Sequence, residues 1–264
     1  MKRDGIAMQI WNILYPLLFY YAVMLIVMAV AQQIFGSDHE HYVISQLIST
    51  LATLPCMWPF YRQDEALRGI QKEHFSIKRE HLFHGLWALA IVACLSVAAN
   101  NLISMTPLVE LSAGFKEANA GFYGSTLALE LVSSAVATPI LEELVFRGII
   151  FGRLRNQLPK AAAVVVSALL FALVHFNIVQ FLYALIIGAV LALLMDRAGL
   201  YVAVLGHIAA NAIAVLRTET GILAWSVDKS VLAWVSSVVV LAVGTGLLGA
   251  YLYKYKDSVK NRIY

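Results

Sequence analysis

The sequence predicts an all-α membrane protein, a polytopic bundle of about eight transmembrane helices. Hydrophobic residues make up 61% of the 264 residues and charged residues only 13%, and the mean hydropathy is +0.77. A soluble protein of this length could not bury that much apolar surface. The apolar residues form long runs with short polar breaks between them. We therefore expect a single integral membrane domain over residues 1–264.

The individual spans follow from the lengths of these runs. A helix that crosses the hydrocarbon core, about 30 Å thick, needs roughly 20 apolar residues. The predicted spans are 8–32, 42–61, 82–105, 123–152, 160–176, 179–196, 200–217 and 231–253. The first run is too long for a signal peptide and no small-residue cleavage pattern follows it, so we expect it to form the first helix. The fifth and sixth spans are short and nearly fused at Phe176-Asn177.

The distribution of Lys and Arg predicts the orientation, because cytoplasmic loops are enriched in basic residues. With the N-terminus inside, 16 of the 19 basic residues face the cytoplasm and only Lys116, Arg217 and Lys229 lie outside. An odd number of spans would place the basic C-terminal tail outside. The sequence thus favours eight spans with both termini in the cytoplasm. The net charge of +3 follows from this bias, so the predicted partner is the lipid bilayer and not nucleic acid.

Ionisable residues inside apolar spans indicate function, because each costs at least about 2.5–3.5 kcal/mol to insert. The fourth predicted span contains Glu142, Glu143 and Arg147, one turn after Pro139. Proline removes a backbone donor and crowds the carbonyl of Ala135, so we expect the fourth helix to be bent one turn before the acids. Glu143 and Arg147 are spaced i, i+4 and can pair, whereas Glu142 points about 100° away. The alternative interpretation is a purely structural Glu143–Arg147 pair.

Two further motifs place imidazoles in neighbouring spans. Phe171 and His175 share one helix face at i, i+4, and so do His207 and Asn211. Taken singly, His175 is better explained as a hydrogen-bonded packing residue. His207 and Asn211 are equally explained as polar contacts between helices.

Depth in the membrane indicates that these groups meet. Measured along each helix from Arg153, Lys160 and Arg197 respectively, Glu142 lies about 16 Å in, His175 about 22 Å and His207 about 15 Å. Similar depths on three helices predict one hydrated cavity that opens toward the cytoplasm.

Such a set suits hydrolysis. A carboxylate beside an imidazole can hold a water molecule and take its proton, while an imidazole and an amide can stabilise an oxyanion. We expect Glu142 to act as the base, His175 to hold the water, and His207 and Asn211 to bind the oxyanion. No cofactor is favoured, but Glu142, His175 and His207 would be the ligands if zinc were bound.

The three motifs together resemble the CPBP or Abi family, which includes the type II CAAX prenyl endopeptidases. They read Glu142-Glu143-x-x-x-Arg147, Phe171-x-x-x-His175 and His207-x-x-x-Asn211, and the catalytic core that they define spans approximately 123–217.

The resemblance implies an intramembrane glutamic or metallo-endopeptidase, in the cell membrane if the protein is bacterial. Its substrate would be a membrane-associated peptide or protein, either lipidated or a peptide precursor. By the same resemblance, Glu143 and Arg147 would support the site, with Phe171 beside them. The alternatives are a non-catalytic adaptor, such as an immunity protein or sensor-kinase regulator, and a proton-linked transporter that uses Glu130.

Overall fold

The computed structural model describes residues 5–36, 38–68 and 79–256, and these residues form helices and connecting turns, with no strand among them. The helices before the first motif are α1 (Ile6–Phe35), α2 (His39–Leu67), α3 (Arg79–Ser104), α4 (Leu108–Leu111) and α5 (Ala113–Phe122). The next elements are α6 (Leu127–Glu130), π1 (Leu131–Ala137), α7 (Thr138–Glu143), π2 (Leu144–Phe151) and α8 (Gly152–Gln157). The last are α9 (Lys160–Leu173), α10 (Ile178–Ala198), α11 (Leu200–Thr220) and α12 (Val231–Lys254).

Within the described residues, six helices are long and apolar enough to cross a membrane: α1, α2, α3, α10, α11 and α12. They correspond to the first three and the last three predicted spans, so the multi-pass helical bundle is confirmed. The count of eight spans and the cytoplasmic position of both termini stay predictions. Several of the basic residues behind that orientation, including Lys72, Lys78 and Arg262, lie outside the described residues.

The fourth predicted span is one continuous helical segment, residues 127–157, which we call the composite helix. Its two π-helical stretches, π1 and π2, lie on either side of the short helix α7, which carries both glutamates. At the end of π1 the Thr138 N–H bonds to the Ser133 carbonyl, five residues back. Pro139 has no N–H for the regular ladder, and the stretch just before it is π-helical, whereas the predicted bend stays a prediction. Such π-helical turns are frequent at functional sites.

The fifth predicted span is shorter in the structure. Helix α9 has 14 residues, about 21 Å of helix, and ends at Leu173. The prediction that His175 lies inside a helix is therefore wrong, because His175 occupies the turn after α9. Phe176 adopts a left-handed conformation (φ 55°), and Asn177 caps α10 by accepting a bond from the Gln180 N–H. These two residues end one helix and start the next.

The composite helix lies in the core of the bundle. Most of its second half is fully buried, including Phe146, Ile149, Ile150 and Phe151. It contacts α1, α2, α9, α10 and α11, while α3 packs against α11 and α12. Large apolar side chains are exposed on α1 and α12, as expected for helices whose outer faces meet lipid. The site residues of the composite helix are thus surrounded by other helices.

Tyr251 of α12 is fully buried, and its hydroxyl lies 2.9 Å from Nδ1 of His84 on α3. The buried imidazole of another helix thus supplies the hydrogen-bond partner that this hydroxyl needs.

The contact between α3 and α12 depends on a glycine. A Cβ at Gly244 would lie 2.8 Å and 2.9 Å from Leu95 side-chain atoms and 3.0 Å from Cys94, whereas a Cβ at Gly246 would meet nothing within 4 Å. We therefore expect Gly244→Ala to lower the unfolding free energy by roughly 1–3 kcal/mol through overpacking. Gly246→Ala is the matched control and should be neutral or stabilising by up to about 1 kcal/mol. Thermal unfolding of the two variants in detergent measures the difference, and equal midpoints would contradict this packing.

Candidate active site

Glu143 lies at the centre of a buried charge network. Its Oε1 forms an ion pair with the Arg147 guanidinium, with Nη1 at 2.8 Å, and lies 2.8 Å from Nδ1 of His207. The Glu143 and Arg147 side chains are completely buried. The i, i+4 pair predicted from the sequence is therefore present, and it includes an imidazole from α11 that the sequence analysis did not connect to Glu143.

Arg147 connects the network to α9 and α10. Its Nη2 donates to the Gly188 carbonyl of α10 at 3.2 Å, and its guanidinium carbon lies 4.3 Å from the centroid of the Phe171 ring of α9. A Cβ at Gly188 would lie only 3.1 Å from both Arg147 and Phe171. Gly188 therefore allows α10 to approach closely enough to accept this hydrogen bond.

Glu142 has a different environment from Glu143. Its Oε2 lies 3.6 Å from Nε2 of His207, and its side chain is 18% exposed while that of Glu143 is 0% exposed. The His207 ring thus presents Nδ1 to one glutamate and Nε2 to the other. Of the two acids, only Glu142 has exposed surface.

Two tyrosines of α1 also approach Glu142, and the sequence analysis did not identify them. Tyr20 and Tyr21 lie close enough to interact electrostatically with the Glu142 carboxylate. The Tyr20 ring packs edge-on to Phe146, with ring centroids 6.3 Å apart. Helix α1 also carries Tyr15, so only the packing of α1 against π2 distinguishes Tyr20 and Tyr21.

His175 makes two contacts with Phe171, one between the two rings and one hydrogen bond to the Phe171 carbonyl. Its Nδ1 lies 2.8 Å from the Phe171 carbonyl and can donate to it, which leaves Nε2 as the free ring nitrogen. The Phe171 ring lies edge-on to His175 at 5.0 Å and to His207 at 5.5 Å. Both imidazoles thus pack on one aromatic ring, but within the described residues His175 forms no ion pair with Glu142.

Asn211 faces the composite helix, as His207 does. Its Nδ2 donates to the Ser134 carbonyl of π1 at 2.8 Å. This bond uses one of the two N–H groups of the Asn211 amide. The other N–H and Oδ1 remain available for further hydrogen bonds. The predicted common face of His207 and Asn211 is therefore present, with His207 contacting α7 and Asn211 contacting π1.

The same side chains were considered as zinc ligands. Among the residues that the structure describes, no three His, Cys, Asp or Glu side chains form a group that could hold a metal ion. Glu142 and His207 are near each other, and the bond from Nδ1 of His175 to the Phe171 carbonyl leaves Nε2 as the nitrogen that could bind a ligand. The metal-free site and the three-ligand zinc site both stay predictions.

The chain is similar to a known protein family. The family model described as "Type II CAAX prenyl endopeptidase Rce1-like" matches residues 124–213. Neither the curated proteins nor the solved structures give a significant match. The matched residues include all three motifs and the contacts from Glu143 to His207 and from Asn211 to Ser134. The match confirms, over residues 124–213, the resemblance to the type II CAAX prenyl endopeptidases seen in the sequence.

Proposed function

We propose that the protein is an intramembrane endopeptidase in which Glu142 activates a water molecule to cleave a peptide bond. The observation that carries this proposal is the contrast between two adjacent carboxylates. Glu143 is fully buried and bonded to Arg147 and His207, while Glu142 is partly exposed and has one face of His207 beside it. One acid thus has a structural position and the other is available for proton transfer.

In the proposed reaction, Glu142 and Nε2 of His175 hold the water. As the water oxygen bonds to the peptide carbonyl carbon, Glu142 takes its proton and the carbonyl oxygen becomes an oxyanion. When the tetrahedral intermediate collapses, the C–N bond breaks and Glu142 returns the proton to the leaving nitrogen. The products are a carboxyl group and an amine, so Glu142 ends in its starting state.

The proposed oxyanion donors are His207 and Asn211. Asn211 keeps one N–H beyond its bond to Ser134. To donate to the oxyanion from Nε2 and to Glu143 from Nδ1 at the same time, His207 must carry a proton on both ring nitrogens. In that form His207, Arg147 and the two glutamates have no net charge, which suits a site surrounded by apolar helices.

The family name supports the substrate class. The matched model describes a CAAX prenyl endopeptidase, and a bundle with six apolar helices long enough to span a bilayer suits a substrate that is itself held at the membrane. We propose a lipidated or membrane-associated peptide or protein, cleaved in a site that opens toward the cytoplasm.

The transporter alternative depended on Glu130 as part of a proton path. In the structure Oε1 of Glu130 accepts bonds from the Gly124 N–H at 3.0 Å and the Ser125 N–H at 2.9 Å. These bonds close the turn before α6 and explain the buried position of Glu130 structurally. The observation therefore favours the protease over the transporter.

Glu142→Gln keeps the size of the side chain but removes the base. We expect it to reduce peptide cleavage by roughly 10²–10⁴-fold without changing the thermal unfolding midpoint by more than a few degrees. Comparative peptidomics of membranes that contain the wild type or the variant measures the reaction. Glu219→Gln, at an exposed position near the end of α11, is the matched control and should cleave normally. An adaptor would keep its phenotype in Glu142→Gln, and an unchanged membrane peptidome would contradict the protease.

Arg147→Met leaves Glu143 buried without its guanidinium. Breaking a buried pair costs roughly 3–5 kcal/mol, whereas replacing both partners by neutral groups costs much less. We therefore expect Arg147→Met to lower the unfolding midpoint strongly, and Glu143→Gln combined with Arg147→Met to recover most of it. Cleavage should stay low in the double variant, because Nδ1 of His207 no longer has a carboxylate acceptor. If the double variant loses as much stability as the sum of the losses in Glu143→Gln and Arg147→Met, the coupling between the two side chains is contradicted.

A metal-free mechanism predicts that cleavage survives chelation. We expect purified protein dialysed against EDTA to keep its activity and to contain much less than one zinc per chain by elemental analysis. Zinc at about one per chain that disappears in His175→Ala would contradict the glutamate mechanism and favour the metalloprotease.

A further inference from the structure

A polar cavity of about 320 Å³ lies between α1, α2 and α8, away from the glutamates. Six of the residues that line the cavity supply its charged, hydrogen-bonding and aromatic groups: Asn12, Tyr15, Asp64, Arg68, Arg153 and Gln157. None of them belongs to the three motifs. The cavity lies at the end of the bundle that the distribution of basic residues assigns to the cytoplasmic side.

The cavity carries one more positive charge than negative charge. Asp64 accepts two bonds from Arg153, from Nε at 2.7 Å and from Nη2 at 3.0 Å. The remaining Nη1 of Arg153 donates to the Asn12 carbonyl at 2.7 Å. Arg153 and Asp64 therefore satisfy each other, and the excess positive charge resides on Arg68.

Arg68 is held in the cavity wall with unused hydrogen-bonding capacity. Its side chain is 5% exposed and lies 3.7 Å from Asp64, and Nη2 donates to the Gly148 carbonyl at 3.3 Å. Its Nε is buried without an acceptor. The nearby carboxylate of Glu65 is paired with Arg62 at 2.7 Å. A buried guanidinium that is only partly satisfied is suited to bind an anion.

The backbone is adapted to keep Arg68 at this position. A Cβ at Gly152 would overlap the Arg68 guanidinium, so the glycine leaves the room in which the guanidinium lies. Gly148, whose carbonyl accepts the Arg68 bond, belongs to π2 and lies five residues after Glu143. The cavity is therefore part of the packing between α2 and the composite helix.

Aromatic residues around the cavity indicate its depth in the membrane. The Tyr15 ring packs against two tilted rings, with centroid distances of 5.9 Å to Phe60 and 6.2 Å to Trp11. The Arg153 guanidinium carbon lies 4.9 Å from the Tyr15 ring centroid. Trp11 is 54% exposed and Trp58, on the same turn of α2 as Phe60, is 49% exposed. Exposed tryptophans beside a tyrosine are typical of the bilayer interface, where lipid headgroups lie.

We propose that this cavity binds the phosphate of an anionic phospholipid headgroup, with Arg68 as the main ligand. A guanidinium matches phosphate oxygens in charge and geometry, and basic pockets between helices at the cytoplasmic side recognise anionic headgroups. The amide of Gln157 at the rim can donate to the same headgroup. This binding site does not depend on the proteolysis proposed above.

The test measures the thermal unfolding midpoint of the full chain in dodecyl maltoside micelles. The micelles contain increasing fractions of palmitoyl-oleoyl phosphatidylglycerol or of palmitoyl-oleoyl phosphatidylcholine, and a third series contains sodium phosphate at matched ionic strength. We expect a saturable rise with phosphatidylglycerol alone, because ligand that binds the folded state stabilises it.

Two variants with the same charge change locate the site. Gln157→Glu adds a negative charge at the rim, and Gln33→Glu adds one at an exposed position of α1 near its other end. Gln157→Glu should raise the half-saturating lipid fraction about fivefold, since one interfacial charge is worth about 1 kcal/mol, and Gln33→Glu should titrate like the wild type. Arg68→Gln should abolish the lipid response if the variant folds. If it does not fold, the comparison of Gln157→Glu with Gln33→Glu decides the question.

Three outcomes would overturn the proposal. They are an equal rise with both lipids, a full rise with sodium phosphate alone, and identical titrations of Gln157→Glu and the wild type.

Discussion

The Glu143 carboxylate is the group on which the rest of the site depends. It has no exposed surface, it forms an ion pair with Arg147, and it lies within hydrogen-bond distance of Nδ1 of His207. A buried charge is stable only when it is paired and hydrogen-bonded, so this carboxylate fixes both partners. Because His207 belongs to α11, the bond also fixes the position of α11 against the composite helix. Nε2 of His207 then faces Glu142 at 3.6 Å.

The surrounding helices are arranged around this constraint. Arg147 extends beyond Glu143 to the Gly188 carbonyl and lies over the Phe171 ring. Phe171 in turn packs against both His175 and His207. A single arginine thus joins the composite helix, α9 and α10, and one aromatic ring sets the spacing of two imidazoles. The proposed mechanism requires Glu142 as the base, and of the two glutamates Glu142 is the one with exposed surface while Glu143 is buried in the ion pair.

The parts of this arrangement that follow from helical spacing were predictable. The six long spans follow from the lengths of the apolar runs, and the Glu143–Arg147 pair follows from i, i+4 geometry. The bond from His207 to Glu143 joins residues 64 positions apart, and periodicity carries no information about such a contact. The end of α9 was missed because Val174 continues the apolar run, while a left-handed Phe176 ends the helix. The approach of Tyr20 to Glu142 depends on the packing of α1, which the sequence does not encode locally.

The site depends on a hydrogen bond in which a protonated Nδ1 of His207 donates to the Glu143 carboxylate. Solid-state NMR of protein labelled with ¹⁵N-histidine in lipid bilayers reports the protonation of each ring nitrogen directly, and His207→Gln assigns the signal. The account predicts a protonated, hydrogen-bonded Nδ1 in the wild type and a changed Nδ1 signal in Glu143→Gln. An Nδ1 that carries no proton in the wild type, or that does not respond to Glu143→Gln, would contradict it.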